Sequence, residues 1–314
     1  MILLLELGLV FFHLLAWVAV GHALLTKRDP RSALGWSVVV LFMPVVGVIA
    51  YAIFGIGRTE SRAAAIMRHN AALAPGYTHP ALGTKVPEQI PEQIRHMEML
   101  GRHLTQQHLC GGNSIEPLVN GNEAYPAMLE AIRRAKDHVY LLTYIFNSRE
   151  VADSFAEELT AAVQRGVDVR ILLDGLGSFY SFRTTVRRIA KAGARVVYFL
   201  PPRLFPPNLM INLRDHRKLL VCDDVAFTGG MNIADYHVVL PGRRHCVQDM
   251  QFCCQGPITR ELRRAFLMDW GFATGKYDTA LPERSPERVG RSLCRIVMDG
   301  PGGSTDPLND LIAG

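Results

Sequence analysis

One stretch of this chain, 212–235, gathers residue types that can act together on a phosphate: His216, Lys218, Asn232 and the pair Gly229-Gly230. If 216–222 is a strand, His216 and Lys218 point one way while Arg217 and Leu219 point the other. An imidazole able to act as a nucleophile and a fixed cation then share one surface. Asp223-Asp224 has turn chemistry, and 225–228 is a β-branched and aromatic return strand. Gly229-Gly230 is expected to turn backbone N–H groups toward an anion, with Asn232 as an amide donor beside them. In-line attack on a phosphodiester needs a nucleophile, a cation and neutral donors, because negative charge builds on the non-bridging oxygens. His216, Lys218 and Asn232 fill those three roles, and the set calls for no metal and no other cofactor.

His-x-Lys alone carries little weight in a chain with eleven histidines. The longer pattern carries more: His-x-Lys-x4-Asp followed by Gly-Gly-x-Asn resembles the signature of the phospholipase D superfamily, at His216, Lys218, Asp223, Gly229, Gly230 and Asn232. Only five residues, 224–228, separate Asp223 from Gly229, where family members usually have six. Further on, Val247-Gln248-Asp249 leads into 250–255 and Gly256-Pro257. A comparable family strand carries Arg-Asp before Gly-Pro, and Gln248 stands where the Arg would be. The resemblance implies that Asp249 orients the imidazole of His216; an ordinary surface aspartate is the alternative.

The elements that must hold these residues are legible on both sides. Segment 124–136 has helical spacing, with Met128, Leu129 and Ile132 inward and Arg133, Arg134 and Lys136 outward. Segment 139–146 is a continuous apolar run, expected to be a buried strand. An amphipathic helix over 151–164, a strand over 167–174, a helix over 184–192 and a strand over 195–200 follow, with Gly166 and Gly193 closing the helices. This alternation predicts an α/β domain: a phospholipase D-like mixed sheet flanked by helices, with the motif strand in its middle. The loop 201–214 is apolar and proline-rich, suited either to admitting acyl chains or to a rigid crossover. A strand over 250–255 and a helix over 258–270 complete the region.

The chain's 49% hydrophobic content is concentrated at its start. Runs 2–25 and 33–56 are each long enough to cross a bilayer, which takes about 20 helical residues. A signal peptide is the alternative for the first run, but it has no basic opening and a second run follows. A two-helix transmembrane hairpin is therefore expected, with Pro30 in the link. Arg28-Asp29-Pro30, Ala33-Leu-Gly-Trp36, Pro44, Gly47, Tyr51 and Phe54-Gly55 resemble the membrane segment that precedes the catalytic region in bacterial cardiolipin synthases. The expected division is 1–57 transmembrane hairpin, 58–115 linker with an amphipathic helix over 88–108, 116–280 catalytic half, and 281–314 the start of a second half. Six cysteines without a disulfide framework favour a catalytic region on the cytoplasmic side of the inner cell membrane, although the positive charges flanking the spans choose no orientation. No metal-ligand spacing is present.

Function follows from both readings. Family members that act on phospholipids usually carry two His-x-Lys motifs, one histidine attacking phosphorus and the other protonating the leaving oxygen. No second motif occurs in this sequence, while Cys294-Arg-Ile-Val-Met and Asp306-Pro-Leu-Asn-Asp look like the opening of a second half. Either two copies pair as a homodimer, or the chain is a truncated half that is inactive alone. When the site is completed, the resemblance implies phosphatidyl transfer between two phosphatidylglycerol molecules through a phosphohistidine, giving cardiolipin and glycerol. The alternatives are a phospholipase D that uses water and a non-catalytic protein that binds anionic lipid. A net charge of +5 suits an anionic membrane surface. Nucleic acid is disfavoured as a partner, since the basic residues are not interleaved with stacking aromatics.

Overall fold

The computed structural model describes residues 2–27, 30–55, 92–105, 108–147, 150–180, 183–201, 214–242, 245–277 and 287–298. Several expectations lie outside these residues: the linker up to 91, loop residues 202–213, and the helical opening at 306. The chain divides into two compact units.

In the first unit α1 (Ile2–Thr26), α2 (Pro30–Phe42) and α3 (Pro44–Ala50) pack together and end in a π-helical turn, Tyr51–Gly55. Ala16, Ala19, Val20, Ala23, Val40 and Tyr51 form their shared core. Small residues let the helices approach closely. A Cβ on Gly47 would come 2.6 Å from the carbonyl oxygen of Val39. Tyr51 is tied to α1 by His22, whose Nδ1 lies 2.8 Å from the tyrosine hydroxyl.

Among the described residues, no helix is long and apolar enough to cross a membrane, so the expected transmembrane hairpin is not confirmed. The second apolar run is one reason. It is interrupted at Met43, and Pro44 starts a new helix, leaving pieces of 13 and 7 residues where one span was expected.

In the second unit, helix α4 (Glu92–Thr105) falls inside the predicted amphipathic stretch. A strand that the sequence reading did not foresee follows it, β1 (Cys110–Val119). Two glycines, an asparagine and a proline disguise its strand character. Then come α5 (Asn120–Arg134), β2 (His138–Thr143), α6 (Glu150–Gln164), β3 (Asp168–Asp174), α7 (Arg183–Lys191) and β4 (Arg195–Phe199). The motif hairpin is β5 (Leu219–Cys222) and β6 (Val225–Gly229), followed by β7 (Met250–Gln255), α8 (Ile258–Thr274) and β8 (Ser292–Cys294).

The strands of the described residues form one mixed sheet, ordered β4-β3-β2-β5-β6-β7-β1-β8. Strands β2, β3 and β4 run parallel, as helical crossovers require, and every other pairing is antiparallel. Helices α5, α6 and α7 cover one face with Met128, Ile132, Phe155, Leu159 and Ile189. Helix α8 covers the other through Ile258, Leu262, Phe266 and Trp270. Phe227 in β6 is 1% exposed, and burial of such a side chain contributes roughly 2–3 kcal/mol. The motif hairpin lies mid-sheet, as expected. The segment from Cys294, foreseen as the first strand of a second half, shares only Cys294 with β8, which pairs with β1 at the edge of this same sheet, and 295–298 form no strand.

Candidate active site

The site gathers at the end of the sheet where β2 and β3 finish and β5 begins. Pairing of β2 with β5 sets Leu142 opposite Leu219, which brings the residues just before β5 beside those just after β2. The strand is shorter than expected. His216, Arg217 and Lys218 precede the first ladder residue, Leu219, and lie outside the sheet's hydrogen bonding. Their alternation survives nonetheless: Arg217 turns to α8, bonding Asp269, while His216 and Lys218 meet Tyr144.

His216 is exposed and stacks on Tyr144, with ring centroids 4.4 Å apart. Lys218 is partly buried; its ammonium lies 5.8 Å from the same ring and donates to the carbonyl of His216. Burial lowers the Lys218 pKa, and the carboxylates of Asp215 and Asp249 partly restore it.

Asn232 reaches the same place from β6. Beyond Gly230 the chain passes alongside 145–147: Ile233 N–H donates to the Ile145 carbonyl at 3.2 Å, and Asn147 N–H to the Ile233 carbonyl at 2.9 Å. The side-chain oxygen of Asn232 accepts the Ile145 N–H at 3.2 Å, which directs its NH2 group toward the Tyr236 hydroxyl at 3.3 Å. From α5, Tyr125 shares its hydroxyl between the carbonyls of Asn232 (2.8 Å) and Ala234 (2.9 Å). The amide is thus fixed in orientation, with its oxygen toward Ile145 and its donor end toward Tyr236.

The two glycines serve a different purpose from the one expected. Neither has a positive φ, and the Gly230 N–H is spent on the Met250 carbonyl at 3.3 Å. What they permit is close approach. A Cβ on Gly229 would come 2.4 Å from the Met250 oxygen, and one on Gly230 would come 2.4 Å from the Asp249 carboxylate. Asp249 therefore sits against Gly230 and accepts the Met250 N–H at 2.7 Å. Its backbone is fastened to Asn120 by bonds of 2.8 and 3.0 Å.

Asp223 lies at the far end of β5. In the tight turn to β6, with φ 47°, its carboxylate accepts the N–H groups of Lys136, Asp137 and His138 at 2.8, 3.1 and 2.9 Å. It anchors the entry to β2 and meets neither His216 nor Lys218, because roughly 20 Å of extended chain separates them.

Sequence reasoning missed Tyr144, Tyr236 and the acidic residues behind the motif. Tyr144 was counted within an apolar strand; its one signal was a position at the C-terminal end of a buried parallel strand. Behind His216, the Arg217 guanidinium bonds Asp215 at 2.9 and 3.0 Å and Asp269 of α8 at 2.7 Å. The Asp215 N–H donates to Asp174 at 3.1 Å. Burial opposes the charge on Arg217, but Asp269 and Asp215 more than offset it and raise its pKa. Burial pushes the Asp269 carboxyl up, Arg217 pulls it down and Asp215 adds to the rise. Among the described residues no group of histidine, cysteine, aspartate and glutamate side chains is arranged to hold a metal.

The family model described as "Cardiolipin synthase, PLD-like domain" matches residues 128–270, a span that holds His216, Lys218, Asn232, Asp249 and Asp269. A second, described as "Phospholipase_D-nuclease N-terminal", matches 14–55. In both regions the chain is similar to members of the phospholipase D superfamily. Similar relatives of the chain include bacterial cardiolipin synthases. It is 28% identical to the cardiolipin synthase of Oceanobacillus iheyensis over 94% of this chain, and 26% identical to the major cardiolipin synthase of Bacillus subtilis over 93%. The chain spans 63% of the length of each of these two relatives. Among solved structures, the phospholipase D family member Nuc from Salmonella typhimurium is similar over 51% of this chain and 95% of its own, at 20% identity and a TM-score of 0.39.

Proposed function

We propose that this chain supplies one catalytic half of a phosphatidyl transferase that joins two phosphatidylglycerol molecules into cardiolipin and glycerol. The convergence of His216, Lys218 and Asn232 at one sheet end, in a chain similar along 94% of its length to a cardiolipin synthase, carries this reading. An imidazole nitrogen of His216 attacks phosphorus, and a P–N bond forms as the bond from phosphorus to the departing glycerol oxygen breaks. A second imidazole, from another copy of the chain or from a second half, gives that oxygen its proton. The same group then takes the proton of an acceptor hydroxyl on the second phosphatidylglycerol as its oxygen displaces His216. Lys218 and the Asn232 NH2 group hold the non-bridging oxygens throughout. Asp249 contributes negative charge near Lys218, and Gly229 and Gly230 let it come close.

The N-terminal helices are assigned to the membrane. Phe11, Leu14, Trp17 and Val18 on α1 and Leu34 on α2 are each more than half exposed, which an apolar surroundings would cover. The six cysteines are free thiols, in keeping with a catalytic region on the cytoplasmic face.

The test is incubation of the purified chain in detergent with labelled phosphatidylglycerol, beside His216→Ala. Cardiolipin and an acid-labile phosphoprotein that both depend on His216 are expected. Phosphatidic acid alone would instead make water the acceptor. Retained binding to phosphatidylglycerol vesicles without either product, at concentrations where copies associate, would replace the transferase reading with a lipid-binding one.

A further inference from the structure

The motif is held from behind by a buried ionic cluster for which the transfer chemistry has no use. Asp269 is 5% exposed and sits on α8, 52 residues from its partner Arg217. Asp215 is 4% exposed, and besides bonding the guanidinium it accepts the Arg217 N–H at 3.1 Å. Its own N–H donates to Asp174 at the end of β3. Asp174 in turn accepts the N–H groups of Leu176 and Gly177 at 2.8 and 3.0 Å. Three elements, β3, the segment before β5, and α8, are therefore tied together at one point.

That point lies where the sheet no longer helps. His216, Arg217 and Lys218 precede the first ladder residue of β5, so no strand pairing sets their backbone torsions. Helix α8 is a rigid reference, packed on the sheet by Phe266 and Trp270. A planar guanidinium bonded on two edges resists rotation in a way that a single ammonium contact does not.

We propose that Arg217, locked between Asp215 and Asp269, is a positioning residue that sets the direction in which His216 and Lys218 project. With Arg217 pinned to α8, backbone alternation leaves the two flanking side chains only the opposite side, against Tyr144. This rests on the reading of His216 and Lys218 as the phosphate-handling pair. The role differs from general stabilisation, because it predicts that anion binding and turnover are lost while the fold is kept.

The test uses the full chain in detergent and two readouts, vanadate affinity by calorimetry and transfer kinetics on labelled phosphatidylglycerol, with melting followed alongside. Asp269→Asn keeps the shape and removes the charge. It is expected to weaken vanadate binding at least fivefold and to lower kcat at least tenfold with KM within twofold. Arg217→Lys should fall between wild type and Arg217→Ala in both readouts. Should Asp269→Asn fail to fold, Arg217→Lys decides by itself. A folded Arg217→Lys or Asp269→Asn protein with wild-type vanadate affinity and kcat would overturn the proposal. Where the wild type turns over no lipid, the transferase reading fails, and vanadate affinity still judges the clamp by comparison with Lys218→Ala.

Discussion

The two ends of the β5–β6 hairpin differ in almost every physical respect. At the Asp223 end, three backbone N–H groups close on one carboxylate, and His138 stands 3.6 Å from it. Close by, Asp168 is gripped by Arg170 and Arg195. Burial opposes its ionisation, yet these two hydrogen-bonded partners hold its carboxyl below the usual range. At the His216 end the imidazole is exposed on an aromatic ring, and the ammonium of Lys218 has given up hydration for a carbonyl contact. One end satisfies its polar groups internally; the other leaves an imidazole exposed to solvent. A linear motif of eight residues thus has two physically different ends, and the strand between them sets Asp223 into the framework.

The contrast is most exposed to failure at His216. Replacement by Ala should lower phosphatidyl transfer by about three orders of magnitude or more with no loss of melting temperature; persistence of labelled cardiolipin would remove the chemical role of this end. Lys218→Ala comes next, with an expected loss of about 10²–10³ in kcat, read in the same assay. Its charge also gives a pH test. Because burial lowers the Lys218 pKa below the ordinary lysine value, vanadate affinity should fall as pH rises through that lowered value. Lys218→Arg should hold its affinity to higher pH, since a guanidinium stays charged.

At the opposite end the signs reverse. Asp223→Ala should cost about 2 kcal/mol of stability through the loss of charge-assisted bonds to three N–H groups, measured by denaturant unfolding, with kcat retained below the melting transition. A folded Asp223→Ala protein that has lost turnover would erase the division of labour between the two ends. The smallest effect concerns His138, whose pKa burial lowers, with Arg263 adding to the drop and Asp223 opposing it. Its unfolded form takes up a proton near pH 6.5 while the folded form resists. Stability is therefore present above that pH and lost as pH falls below it. His138→Gln should flatten the decline of melting temperature between pH 7 and 5 by a few degrees.

Much of the second unit was readable in advance. Apolar runs at 139–146, 167–174 and 195–200 became three parallel strands because β-rich segments joined by amphipathic helices leave few other ways to bury both faces. Strand β7 occupies 250–255, as foreseen, and α8 extends four residues past the expected end to Thr274. Strand β1 escaped notice because Gly111, Gly112, Asn113 and Pro117 break its pattern, and only pairing with β7 makes it a strand. In the first unit, two equal apolar runs gave no hint that Pro44 would divide the second. Within the site, His216, Lys218 and Asn232 were singled out by type and spacing, and the glycines were expected to face an anion, whereas the structure sets them against Asp249 and Met250. Their closeness to Asp249 and Met250 exists only once β6 lies against β7.

By itself the sequence determined most of the order of elements in the second unit and the faces they bury. Those properties depend on local periodicity and side-chain chemistry, which a single segment contains whole. Only the tertiary structure decided that Tyr144 lies under His216, that Asp269 reaches Arg217 across 52 residues, and that Asp223 belongs to the framework. Each of these depends on the register between segments distant in the chain, and register is set by how the buried faces of the whole sheet and its helices fit together.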